Sequence, residues 1–204
     1  MIIDPGKQTP KDNYKLLIGS IVPRPIAFVS TISKAGIYNL APFSFFTAIA
    51  SNPPTIGFSP ARKGPDGSLK DTLANIRETG EFVVNVVNMA LVEQMNATAT
   101  DFPPEVDEFK EVGLTPLPSE LVKAPRVKES PINMECRLNQ IIEVGVSGAG
   151  GGFFVIGEVV CFHVADELMT DGRIDTGKLD PVGRLAGMEY TTLGKRFILE
   201  RKPY

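Results

Sequence analysis

Apolar residues in this chain gather in short alternating or continuous runs far more often than at helical spacing. Residues 26–32 are rich in β-branched and aromatic types, which predicts a strand starting after the Pro23-Arg24-Pro25 break. Gly36 predicts a hairpin turn into a second strand near 37–41. Residues 45–50 and 55–59 predict two more strands, separated by Ser51-Asn52-Pro53-Pro54. The period then changes. Leu73, Ile76 and Arg77 follow Asp71 at helical spacing, with Asp71 as the predicted N-cap and Gly80 as the terminator. A buried strand over 81–87 and a helix over 90–99 come next.

Six prolines between 101 and 131 leave room for only a short helix near 106–112, so this stretch reads as a surface excursion or lid. Two long β-rich runs, 132–146 and 153–165, flank Ser147-Gly148-Ala149-Gly150-Gly151-Gly152 and predict a hairpin. A final strand is expected near 195–200. Many strands, few short helices and no βαβ alternation point to a mainly β protein, an antiparallel closed barrel decorated by helices, forming one domain over 1–204.

Composition narrows the function. The chain is 43% hydrophobic and 22% charged, with a net charge of −3, so it lacks the basic stripe that nucleic acid or an anionic membrane requires. It has no run of 18 apolar residues and no signal-peptide pattern, and Cys136 and Cys161 suit a reducing compartment; the expectation is a cytoplasmic protein. Both cysteines read as reduced packing residues. A two-residue turn at Gly148-Ala149 would instead make them cross-strand neighbours, which leaves a redox pair as the alternative. One histidine and no Cys/His cluster in the sequence argue against structural zinc.

Three segments carry candidate chemistry. Lys70-Asp71-Thr72 opens a helix, where free N–H groups and the positive end of the dipole favour a phosphate; Lys70 adds a charge and Thr72 a hydroxyl. Taken alone, it reads first as a capped surface helix with an incidental lysine. Arg24 stands on backbone stiffened by two prolines, placed for a bidentate contact with phosphate. Asn39 to Phe46 mixes an amide, Ala41, Pro42, Ser44 and three phenylalanines, which suits the flat faces and polar edges of an isoalloxazine ring. Strand alternation would send Phe43 and Phe45 to one face and Ser44 and Phe46 to the other. Together the three segments fit FMN. No Gly-x-Gly-x-x-Gly follows a strand, so a nicotinamide would be a transient substrate. His163 either faces a cavity near flavin or substrate or is a satisfied structural histidine.

The order of Arg24-Pro25-x-Ala27-x-Val29-Ser30-Thr31, Asn39-x-Ala41-Pro42-x-Ser44-x-Phe46 and Lys70-Asp71-Thr72-x-x-Asn75-Ile76 continues through Glu81-Phe82-Val83-Val84-Asn85, Ile156-Gly157-Glu158-Val159 and Arg184-Leu185-x-Gly187-x-x-Tyr190. With these motifs the chain resembles the flavin reductase-like family of FMN-binding split-barrel proteins, and its flavoredoxin-like branch in particular. The resemblance implies a Greek-key split barrel and a homodimer with one FMN per subunit. It implies Lys70, Asp71 and Thr72 at the phosphate with Arg24 assisting, and residues 41–46 along the ring. Ser30 and Ser59 would be further polar contacts, and Arg184 and Tyr190 belong to a C-terminal motif.

The function expected is an FMN-dependent oxidoreductase accepting hydride from NADH or NADPH and passing electrons to free flavin, a flavin-dependent monooxygenase or another redox protein. No residue is assigned a catalytic role of its own. The alternatives are an electron-transfer flavoprotein reduced by a protein partner, an oxidase of the pyridoxamine-phosphate type, and the same fold without flavin.

Overall fold

The computed structural model describes residues 1–64 and 66–202. Helix α1 (Pro10–Ser20) leads into strands β1 (Ala27–Ile32), β2 (Tyr38–Phe43), β3 (Phe46–Ser51) and β4 (Pro54–Phe58). Helix α2 (Asp71–Thr79), strand β5 (Glu81–Val86), helix α3 (Val92–Ala97) and the single turn α4 (Glu108–Glu111) follow. A short pair, β6 (Pro116–Leu117) and β7 (Arg126–Val127), precedes the long hairpin β8 (Ile132–Val144) and β9 (Gly152–Val164). The C-terminal part holds the pair β10 (Met169–Thr170) and β11 (Arg173–Ile174), the turn α5 (Thr176–Leu179), and the pair β12 (Gly183–Arg184) and β13 (Tyr190–Thr191).

Seven strands form one antiparallel sheet in the order β2-β1-β5-β8-β9-β4-β3. Strands β2 and β3 occupy opposite edges, yet only Ser44 and Phe45 separate them in the chain. A flat sheet of seven strands would hold those edges roughly 29 Å apart. The three steps from Phe43 to Phe46 reach about 11 Å. The sheet therefore rolls until its edges approach, and the barrel stays split along the β2/β3 seam.

Both faces of the first strand are buried. Ala27 and Val29 point into the barrel with Phe58, Phe82, Val84, Cys136 and Val155, while Phe28 points outward under Leu91, Met95 and Phe109. That explains why residues 26–29 form a continuous apolar run instead of alternating. Inside the barrel, Phe82 lies edge-on to Phe58 at 5.6 Å and fills the space left open by Gly157, where any Cβ would overlap its ring.

Several expectations shift. No strand forms over 195–200; residues 192–202 lack regular structure, with Phe197, Ile198 and Leu199 exposed. The final pairing is instead β12 with β13. Chain direction breaks at Ser44 and Phe45, so Phe43 and Phe45 do not share a strand face: Phe43 enters the core while Phe45 stays at the surface. The predicted helix over 90–99 begins as a 3-10 turn at Met89–Leu91 and ends by Ala97. Register shifts in the hairpin at 135/136 and 138/140 place Cys136 opposite Val159 and Cys161 opposite Glu135, so the cysteines are not partners and both are free.

Candidate flavin site

Residues 70–72 mark the floor of the site. Lys70 takes the N-cap position in extended conformation and gives no side-chain cap, and Asp71, expected at that position, is the first helical residue. The first N–H groups of α2 are thus left without a capping oxygen, the donor arrangement an anion can use. The Asp71 carboxylate turns to Lys63, 3.2 Å away, and Lys70 pairs with Asp101.

A polar ladder fixes this helix end against the sheet. Thr72 Oγ1 donates to Asn39 Oδ1 at 2.7 Å, and Asn75 Nδ2 donates to Thr31 Oγ1 at 2.9 Å. Asn39 Nδ2 and the Leu40 N–H donate to the two carboxylate oxygens of Glu108 at 2.7 and 3.1 Å. Burial is the main influence on Glu108 and raises its pKa, against the lowering effect of those donors, so it holds a proton to higher pH than an ordinary glutamate. The hydroxyl of Thr72 is committed to Asn39 and buried, which leaves its backbone N–H as the donor it still has to offer.

Two cavities adjoin here. The first, about 90 Å³, lies over the α2 terminus and is lined by Asn39, Ala41, Pro42, Phe43, Lys70–Thr72, the loop 98–102 and Glu108. The second, about 200 Å³, shares Pro42 and Ala99 with it and is lined by Tyr14, Ile18, Arg24, Ser44, Arg184 and Tyr190, among others. Arg184 stacks on the Tyr190 ring at 4.5 Å and hydrogen-bonds its hydroxyl, which in turn donates to Asn96 Oδ1 at 2.8 Å. The C-terminal motif is therefore brought to the same groove as residues 39–44.

The other predicted residues either sit outside these cavities or, like Arg24, are committed to structural contacts at their wall. Ser30 is buried in the sheet, donating to the Pro125 carbonyl at 2.5 Å, and Ser59 donates to the Phe153 carbonyl at 2.7 Å. Neither lines these cavities. Phe46 lines a separate apolar groove with Pro23, Val87 and Val182, and Phe45 lies beneath the Arg24 guanidinium, 5.8 Å from it. Arg24 itself is spent on structure: Nη1 donates to the Ile18 and Ile21 carbonyls, both at 2.7 Å, and Nη2 to the Leu185 carbonyl at 2.8 Å. His163 lies on β9, its Nε2 2.6 Å from Glu135 Oε1, and lines neither cavity.

Tyr14, Lys63, the loop 98–102 and Glu108 were not foreseen. A signal for α1 existed in Thr9-Pro10-Lys11-Asp12: Thr9 Oγ1 accepts the Asp12 N–H at 3.2 Å and Pro10 starts the helix. Glu108 gave no signal, because an acid in a proline-rich stretch looks solvated.

The family model for the flavin reductase like domain matches residues 18–178. The chain belongs to the flavin reductase-like family. Among solved structures of such proteins, nitrilotriacetate monooxygenase component B from Bacillus cereus is 46% identical, with a TM-score of 0.93 over 98% of both chains. The 2-nitrobenzoate 2-nitroreductase of Pseudomonas fluorescens is 32% identical, with a TM-score of 0.87 over 99% of this chain and 96% of its own. Flavoredoxin of Desulfovibrio vulgaris (Miyazaki F) is 27% identical, with a TM-score of 0.75 over 98% and 97%. The fold is the flavin reductase split barrel, and membership carries a flavin cofactor and oxidoreductase chemistry. Among the described residues no helix is long and apolar enough to cross a membrane.

Proposed function

We infer that this flavin reductase-like protein binds FMN across the two adjoining cavities and oxidises NADH or NADPH, passing electrons to free flavin or to a partner. The observation that carries this reading is the uncapped α2 terminus, with Lys70 beside it, opening into the groove where Arg184 and Tyr190 meet Pro42 and Ser44. When bound, the flavin supplies hydride acceptance and electron transfer. The chain's own residues supply position. The Asp71 and Thr72 N–H groups and Lys70 hold the phosphate, while Ala41 to Ser44 lie along the ring. Arg184, held by Tyr190 and the Gly187 carbonyl, brings positive charge to the far cavity, where it can meet a ring edge as negative charge develops.

The resemblance to a monooxygenase component B supports a flavin-dependent monooxygenase as the consumer of the electrons. Absorption spectra of the FMN-loaded protein, followed anaerobically, should show the flavin bleaching on addition of NADH or NADPH. Flavin bands that persist with both donors would reject the nicotinamide reading. They would leave an electron carrier reduced by a protein, which the flavoredoxin likeness favours.

A cytoplasmic homodimer completes the reading. The edge strand β3 exposes Ile49, and the tail exposes Phe197, Ile198 and Leu199, apolar surface a second copy would cover. Sedimentation should give a dimer at micromolar concentration; a monomer with flavin bound would exclude it.

A further inference from the structure

We propose that the Glu135, Cys161 and His163 side chains form a binding site for one zinc-class divalent cation, separate from the flavin groove. The hairpin register creates the cluster. Glu135 and Cys161 are directly opposed across β8 and β9, and His163 lies two residues beyond Cys161 on the same face. A ligand atom from each lies within 4.8 Å of the other two.

Both separations from His163 lie within about 0.7 Å of what the ion needs. Zinc takes nitrogen or oxygen at about 2.0 Å and sulfur at about 2.3 Å, so tetrahedral ligands stand roughly 3.3 Å apart for N and O and 3.6 Å for N and S. Cys161 Sγ already lies 3.5 Å from His163 Nε2. Glu135 Oε1 is 2.6 Å from the same nitrogen, a hydrogen bond whose proton the cation replaces, and the pair then opens by about 0.7 Å. Thiolate and carboxylate together would neutralise the two positive charges of a divalent ion.

The carboxylate is also braced as a metal ligand should be. Glu135 is fully buried, and its oxygens accept the Glu120 N–H at 2.8 Å and the Leu121 N–H at 2.6 Å. Cys161 and His163 are only half-buried, which leaves a side open for water as the fourth ligand. None of the three residues lines the cavities over α2 or at Arg184, so loss of the cation site leaves flavin binding intact.

The test is a competition titration of the tag-free, flavin-loaded protein with Zn²⁺ against a chromogenic chelator, alongside Cys161→Ser and His163→Ala. One equivalent should bind at micromolar affinity or tighter, and each substitution should weaken it at least roughly 30-fold with the flavin spectrum unchanged. Co²⁺ should give a thiolate-to-cobalt band that Cys161→Ser abolishes. Affinity weaker than micromolar, or affinity that survives either substitution, overturns the site and leaves Glu135–His163 as a structural pair.

Discussion

Arg24→Met is expected to lower folding stability by about 3 kcal/mol or more, because three backbone carbonyls would lose their donor together. The guanidinium is buried and joins the end of α1, through Ile18 and Ile21, to Leu185 in the C-terminal motif. Its backbone adds a reciprocal pair with Arg184, N–H to carbonyl at 2.9 and 2.8 Å. Burial is the main force lowering its pKa, which fits a cation withdrawn from water and aimed at carbonyl oxygens. Methionine keeps most of the stem's packing, so the loss reports the hydrogen bonds. Lysine in its place would recover little, since one ammonium cannot reproduce a fork spanning three acceptors. Chemical denaturation of the flavin-free protein measures the effect directly. Unchanged stability with FMN affinity lost would restore Arg24 as a phosphate ligand and remove its structural role.

Arg24 also shows what the sequence could and could not reveal. Its proline flanks correctly marked a residue held rigidly at the head of β1, but the same rigidity serves a ligand contact and a buried crosslink equally well. The difference depends on α1 and residues 183–191, which lie far away in the chain and arrive only on folding. The strands were legible because their apolar runs are short and punctuated by Gly36, the Pro53-Pro54 pair and the Gly148–Gly152 tip. Helix α2 was legible for its spacing and for Gly80, which takes the left-handed conformation with φ of 72°. Its cap was misread because Asp71 has the ordinary capping chemistry; in the fold that carboxylate meets Lys63, from a loop whose approach no local pattern encodes. The tail misled for a related reason. Phe197, Ile198 and Leu199 have strand propensity, yet they pair with no described strand of this chain. Propensity without a partner makes no sheet.

The two members of the Lys70–Asp101 pair are expected to act on FMN in opposite directions. Lys70→Ala should weaken binding by about 2 kcal/mol, roughly 30-fold, the scale of one charge-assisted contact to phosphate. Asp101→Asn should tighten it, since the aspartate competes for the ammonium and places negative charge on the cavity that receives a dianion. A plain surface ion pair predicts something else. Both substitutions would then change stability by under about 1 kcal/mol and leave FMN affinity alone. Lys63→Ala adds a third reading, because it frees the Asp71 carboxylate at the helix terminus; affinity should fall although Lys63 does not line the cavity. The measurement is fluorescence titration of FMN into flavin-free protein at two salt concentrations, with the loss for Lys70→Ala shrinking at high salt as screening removes the Coulomb part. Equal affinities across all three variants would move the phosphate away from α2. The most direct remaining cation in the groove is Arg184, so Arg184→Met would then carry the large loss.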